Sequence, residues 1–364
     1  MNGQHGHDHS AAPAPTPFAA LPEPARLVRL TPVIWLPGEK PPAGPALGFS
    51  DLAVALCAPT PAPPPPRPFL MPPADTAPGP LLPTVTLARL RTVAVVFGGT
   101  AGVAATEGCY VAETLPAALG DDFAAIDALA PFDLPAQDLG GEIVLACAAG
   151  ADTPARWMAI CLPRIALAEA AFPGRFRFLL PPCAAAPVPA AALAALAIGP
   201  DRLLPKRPDR GYRIATLFLV LTDPDRPPHP SCLPALRHGA TAGNWRIAIV
   251  PPAPPLSESI AAVLAEHTLL TVPEPDAWHA VAGAALVFLA PGVPDAVLMA
   301  GAPGLAAIVA DPDPLTAPLR HAVLGALGGR LAELSGSASE AAVDGGVVLD
   351  PAVLAALLAA VPGG

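Results

Sequence analysis

Few residues in this chain are spaced for chemistry, and each has a structural reading beside the chemical one. Asp223 and Asp225 spell Asp-Pro-Asp directly after the apolar run Tyr212 to Leu221. Two carboxylates so placed can share a divalent cation with a diphosphate. The same spelling recurs at Asp311 to Pro314, however, and that repetition favours turn chemistry. Asp121-Asp122 precede an apolar stretch, where acidic side chains favour a helix N-terminus. Gly98-Gly99-Thr100-Ala101-Gly102 follows a strand-like run as a phosphate loop would, but no helix pattern succeeds it, so a hairpin turn is expected. His5, His7 and His9 could ligate a divalent metal loosely from a tail that has nothing periodic to bury. His229 and His238 fall in a loop, His267 begins an expected strand, and His279 and His321 lie on expected helices. None has a partner at catalytic spacing. P-loop, GxSxG, HExxH and GxGxxG patterns are absent.

The elements that must position these residues change character along the chain. Of 54 prolines, 22 stand in the first 90 residues. Residues 1–83 therefore read as a proline- and alanine-rich leader, disordered over 1–25. Ala58 to Pro83 is expected to run as polyproline-II-like chain, either as a stiff strap along a surface or as a ligand for a protein partner. Arg26 to Pro37 reads as a short β segment or a docking strip, with Trp35 as its anchor. Regular structure is expected from Thr84. Leu90 to Phe97 reads as a strand, with Cys109 to Glu113 as its returning partner, and Glu142 to Cys147 as a further strand. Pro154 to Ala171 is helical in pattern, with Trp157, Ile160, Cys161, Ile165 and Leu167 near one face and a break at Pro163. Strands follow at 176–180, 212–221, 245–250, 267–272, 285–289 and 305–310. Helices are expected at 189–197, 257–266, 276–284, within 314–334, and at 351–361. Ser257 is the expected N-cap of its helix.

Repeated strand–helix–strand units with buried apolar strands predict an α/β fold with parallel sheets covered on both faces. The expected division is an N-terminal lobe at 84–222, a linker loop at 223–243 and a C-terminal Rossmann-like lobe at 244–364.

Composition removes several function classes. The formal charge is −10, and Lys40 and Lys206 are the only lysines, so a nucleic-acid footprint is missing. The first fifteen residues lack a secretory signal's basic and apolar regions. The apolar stretches 178–200 and 280–310 are broken by prolines, by Gly-Pro turns and by Asp295, which argues against a membrane span. Six separated cysteines without a CxxC read as free thiols, and a cytoplasmic location is the expectation.

The run Ala155 to Ala171, with Trp157 and Leu162-Pro163-Arg164, followed by PGRFRFLLP, resembles a segment of glycosyltransferase family 61, the capsular-polysaccharide type. The order continues through Ile198 to Leu221, the strand Trp245 to Ile249, Leu256-Ser257-Glu258, Ala285 to Leu298 and the closing run from Val347, so that about residues 90–362 are covered. The resemblance implies two Rossmann-like lobes of the GT-B kind. It implies a nucleotide-sugar donor as substrate, with no separate cofactor or metal, and inverting transfer to a saccharide acceptor.

By that resemblance Arg246, Arg156 and Asp295 are the candidates for holding the donor. Arginine suits the task, because its planar fork binds phosphate oxygens bidentately. Arg156 and Ile160 occupy the positions of the family's His and acid, and Gly292 replaces a His. An inverting transfer needs a general base, and isoleucine cannot act as one. Asp152 is the nearest carboxylate that could, although it also reads as an N-cap before Pro154. Two functions follow as expectations: a sugar transferase working with relocated residues, or a non-catalytic binding or scaffold protein that keeps the fold.

Overall fold

The computed structural model describes residues 26–28, 52–68, 81–82, 84–98, 101–106, 109–114, 135–148, 150–207, 209–222, 229–237, 245–250, 258–310, 316–334, 337–338, 347–348 and 350–360. The elements run β1 (Arg26–Val28), β2 (Leu52–Cys57), β3 (Thr60–Pro61), β4 (Arg67–Pro68), β5 (Leu81–Leu82), β6 (Val85–Gly98), β7 (Ala101–Thr106), β8 (Cys109–Val111) and β9 (Ala136–Leu145). Next come α1 (Pro154–Ile160), α2 (Leu162–Ala171), β10 (Arg177–Leu180), α3 (Pro187–Ala195), β11 (Leu203–Pro205), β12 (Gly211–Leu221) and α4 (Leu233–Leu236). The second half holds β13 (Trp245–Val250), α5 (Glu258–Glu266), β14 (Leu270–Pro273), α6 (Ala277–Ala282), β15 (Ala284–Leu289), β16 (Ala306–Ala310), α7 (Ala317–Ala326), β17 (Arg330–Leu334), β18 (Ser337–Ala338), β19 (Val347–Val348) and α8 (Pro351–Ala359).

The protein is mixed α/β. Its second large sheet has the order β14-β13-β15-β16-β17-β4, and every pair in it is parallel. From β13 to β17 the chain visits positions in the order 2-1-3-4-5, the flavodoxin-like doubly wound arrangement. β16 is buried at every residue and β15 at all but one, as strands covered on both faces must be.

The first large sheet is built differently. It has nine strands along β1-β8-β7-β6-β12-β9-β10-β11, with β2 also on β6. Only β12-β9-β10-β11 and the β1–β8 pair are parallel, while β6 runs antiparallel to β12, β7 and β2. The expected hairpin turn is there: Gly98 pairs with Ala101, leaving two residues between the strands. The returning strand is β7, however, and the Cys109 segment is the strand after it. At one level the three adjacent strands bulge together. Thr92 takes φ 51°, the β9–β12 register shifts between Ile214 and Thr216, and Gly140-Gly141 supply the extra length opposite.

The break expected at Pro163 separates α1 from α2 at Cys161. Trp157 is fully buried on α1, and its indole N–H donates to the Ala146 carbonyl at 3.0 Å. The leader takes part in both large sheets, β2 lying on β6 and β4 forming the edge next to β17. The expected linker also packs inward. Cys232, Leu233 and Leu236 are buried, the i, i+1, i+4 spacing of one helix face. β17 was not expected as a strand, because RLAEL carries no alternation and follows a helix directly. Gly328 and Gly329 end that helix and free the next five residues to pair with β16.

One continuous core of buried residues runs from Val85 to Leu358 and includes both large sheets. α1 and α4 pack on the 3-10 segment Asp295–Ala300, α3 packs on α6, and α7 on Pro230–Cys232. A smaller core lies on the opposite face of the first sheet.

Candidate functional site

In doubly wound sheets ligands bind beyond the carboxyl ends of the strands, where the strand order reverses. Here that point lies between β13 and β15. After Leu289 the chain stays paired for one more residue, with Ala290 N–H donating to Ile249 O at 3.0 Å. It then turns at Gly292, which is exposed at φ 85° with nothing within 4 Å of a notional Cβ. The next stretch, Asp295–Ala300, is buried at every residue.

Asp295 is 5% exposed and sits at the start of that segment. Its Oδ2 accepts from Thr316 Oγ1 at 2.6 Å and from Arg320 Nη1. Arg320, on α7 and 1% exposed, also donates Nε to Glu333 Oε1 on β17 at 2.7 Å. His321 Nε2 stands 3.4 Å from the same oxygen. Burying these charges is tolerable only because each is paired and hydrogen-bonded. A carboxylate oxygen sealed from solvent and already accepting two donors has no route to an acceptor hydroxyl. Thr316, Arg320 and Glu333 were not singled out from sequence. The available signal was an arginine next to Leu319 in the stripe of Val323 and Leu324, where a core position demands a partner.

The other candidates are placed apart from Asp295 or from solvent chemistry. Arg246 is the second residue of β13, so it lies at the amino end of the sheet. Its Nη2 donates to the Leu358 carbonyl at 2.8 Å, fastening α8, while its Nε is buried without a partner. Four residues of strand, about 13 Å at 3.3 Å each, separate it from the carboxyl rim. Arg156 is nearer, since α1 packs on Asp295–Ala300. It stands 3.6 Å from Asp152, both side chains more than a third exposed. Thr153, and not Asp152, caps α1: its Oγ1 accepts from Arg156 N–H at 3.3 Å. Asp152 is thus a surface carboxylate one residue before the cap.

Arg164, the last residue of the Leu-Pro-Arg run, donates Nε to Thr222 Oγ1 at 2.9 Å and so ties α2 to the end of β12. Burial holds its guanidinium below the ordinary arginine value. The carboxyl ends of β9, β10 and β11 carry Cys147, Cys183 and Lys206, a grouping the sequence does not reveal. Burial pushes Cys161 and Cys232 up to about 12 and Cys147 well above its ordinary value, so none is a thiolate at neutral pH. Cys183 is also raised by burial, and Lys206 is lowered by it. Where the three strands bulge, a depression of about 530 Å3 is lined by Thr92, Leu139, Ile214 and the Arg213–Asp138 ion pair at 2.8 Å. Its walls are mostly aliphatic, and the Asp138 carboxylate that lines it is held by Arg213.

Among the described residues no cluster of His, Cys, Asp or Glu could hold a metal ion, and no helix is long and apolar enough to cross a membrane. Trp35, His5, His7, His9, His238, Asp121, Asp122, Asp223, Asp225, Ser257 and the 311–314 turn lie outside the described residues. Comparison with known protein families and with characterised proteins finds no match to the chain.

Proposed function

We propose that the chain is a non-catalytic binding or scaffold protein, cytoplasmic, whose second half keeps one doubly wound lobe of the glycosyltransferase kind. The observation that carries this reading is the burial of Asp295–Ala300 between α1, α4 and α7. A GT-B transferase needs an open, solvated seam at the carboxyl ends of its strands, where donor and acceptor meet. Here apolar side chains fill that position. Two of the three charged groups expected to hold the donor are already engaged: Asp295 by Arg320 and Thr316, Arg246 by the Leu358 carbonyl. With Ile160 at an acid position, that position supplies no base to deprotonate an acceptor.

A second reading keeps a working transferase, with a donor in the crevice beside Gly292 and Arg156 as its phosphate ligand. The exposed turn at Gly292 favours it. Calorimetry with UDP- and GDP-sugars, together with a product assay on saccharide acceptors, separates the two. The scaffold reading expects no turnover, and no heat that Arg156→Ala alters. Turnover abolished by Arg156→Ala would overturn it. Arg246→Ala, at the other end of the sheet, should leave any such titration unchanged.

A further inference from the structure

The strap from Ala58 to Pro68 has an exposure pattern that points to a partner. Prolines lock φ near −65°, and a residue before proline is held in the β or polyproline-II region. From Ala58 to Arg67 every residue is one or the other. The segment is therefore extended throughout, paired as strand at β3 and β4, and the polyproline-II repeat of about three residues per turn sorts its residues into three ridges.

One ridge, Thr60, Pro63 and Pro66, is half-buried throughout. Pro63 meets α7, its Cβ lying 3.5 Å from a notional Cβ on Gly325. A second ridge, Pro61, Pro64 and Arg67, is exposed throughout. The third holds half-buried Ala62 and exposed Pro65 and Pro68. Backbone pairing pins both ends of the strap: Pro61 to Leu81, and Arg67 N–H to Gly329 O at 3.1 Å. The strap is thus ordered before any partner arrives, which lowers the entropy lost on binding.

We propose that this outward face is a docking site for a proline-recognition domain of the SH3 type. Such a domain has a groove lined with aromatic side chains and an acidic pocket at one end. Two adjacent ridges of a polyproline-II helix fill grooves of that kind, and the third must face away. Here the third ridge is the one that rests on the protein body. Arg67 stands exposed at the end of that ridge as the cation for the acidic pocket. This surface rests on the Gly325 side of α7 and does not depend on whether a nucleotide sugar binds.

The test is titration of the full chain with a panel of purified SH3 domains that carry acidic pockets, followed by calorimetry. At least one should bind with micromolar affinity, and Pro65→Ala or Arg67→Glu should each weaken that binding about tenfold. Circular dichroism should show both variants folded as the parent. Absence of binding across the panel at millimolar domain would overturn the proposal. So would binding that neither variant weakens, because the contact would then lie elsewhere.

Discussion

A methyl group placed on Gly325 of α7 would stand 1.9 Å from the carbonyl oxygen of Pro64. No side chain fits there without moving the strap, because the atom it meets is backbone. The relation also explains a glycine inside a helix, where alanine would be favoured by up to about 1 kcal/mol. Helix propensity yields here to close approach.

Gly325→Ala should therefore detach the strap while leaving α7 intact. Hydrogen exchange reads both: the Arg67 amide, bonded to Gly329 O, should lose its protection, and the α7 amides should keep theirs. Unchanged protection at Arg67 would show that the strap is held elsewhere.

Asp295→Ala should act on stability. It leaves Arg320 buried with one of two carboxylates, and breaking a buried pair costs about 3–5 kcal/mol, here at the low end because Glu333 remains. The urea midpoint should fall, and adding Arg320→Met should recover part of the loss, since no unpaired charge is then left behind. A stable Asp295→Ala variant would mean that the cluster is not a clasp.

His229 makes stability depend on pH. Burial lowers its pKa from 6.5, the Ala58 backbone only partly offsetting the effect, and its Nε2 is buried without a hydrogen bond of normal geometry. The folded state therefore binds fewer protons than the unfolded one just below pH 6.5. Its contribution is fully present above that value and is lost as pH falls through the lower folded pKa. His229→Asn keeps a cap acceptor for Ser231 N–H without titrating. Chemical denaturation from pH 7 to about 5 should show a smaller loss of stability in the variant than in the parent. Equal slopes would remove His229 as the cause.

Much of the local structure was legible from the residues. Continuous apolar runs such as ALVFL and AAIVA announce strands buried on both faces, and Pro163 announces the break between α1 and α2. The unbroken run of prolines and residues before proline likewise specifies an extended strap. These are short-range consequences of sterics and burial, and they need no knowledge of neighbours.

What tertiary structure alone decided is pairing and proximity. β12 lies between β6 and β9, strands of different direction, so the first half is a mixed sheet and not a second doubly wound unit. Nothing local in VTLARLRTVAVVFG specifies an antiparallel partner more than a hundred residues away. Arg246 and Asp295 both lie in strand–loop units of one sheet, yet one faces its amino end and the other its carboxyl end. Each found an internal partner, Leu358 or Arg320, because a desolvated charge must be paired wherever the chain happens to bring one. Residue types limit the chemistry a chain can perform, but only the packing of distant segments determines whether a charge meets solvent or another side chain.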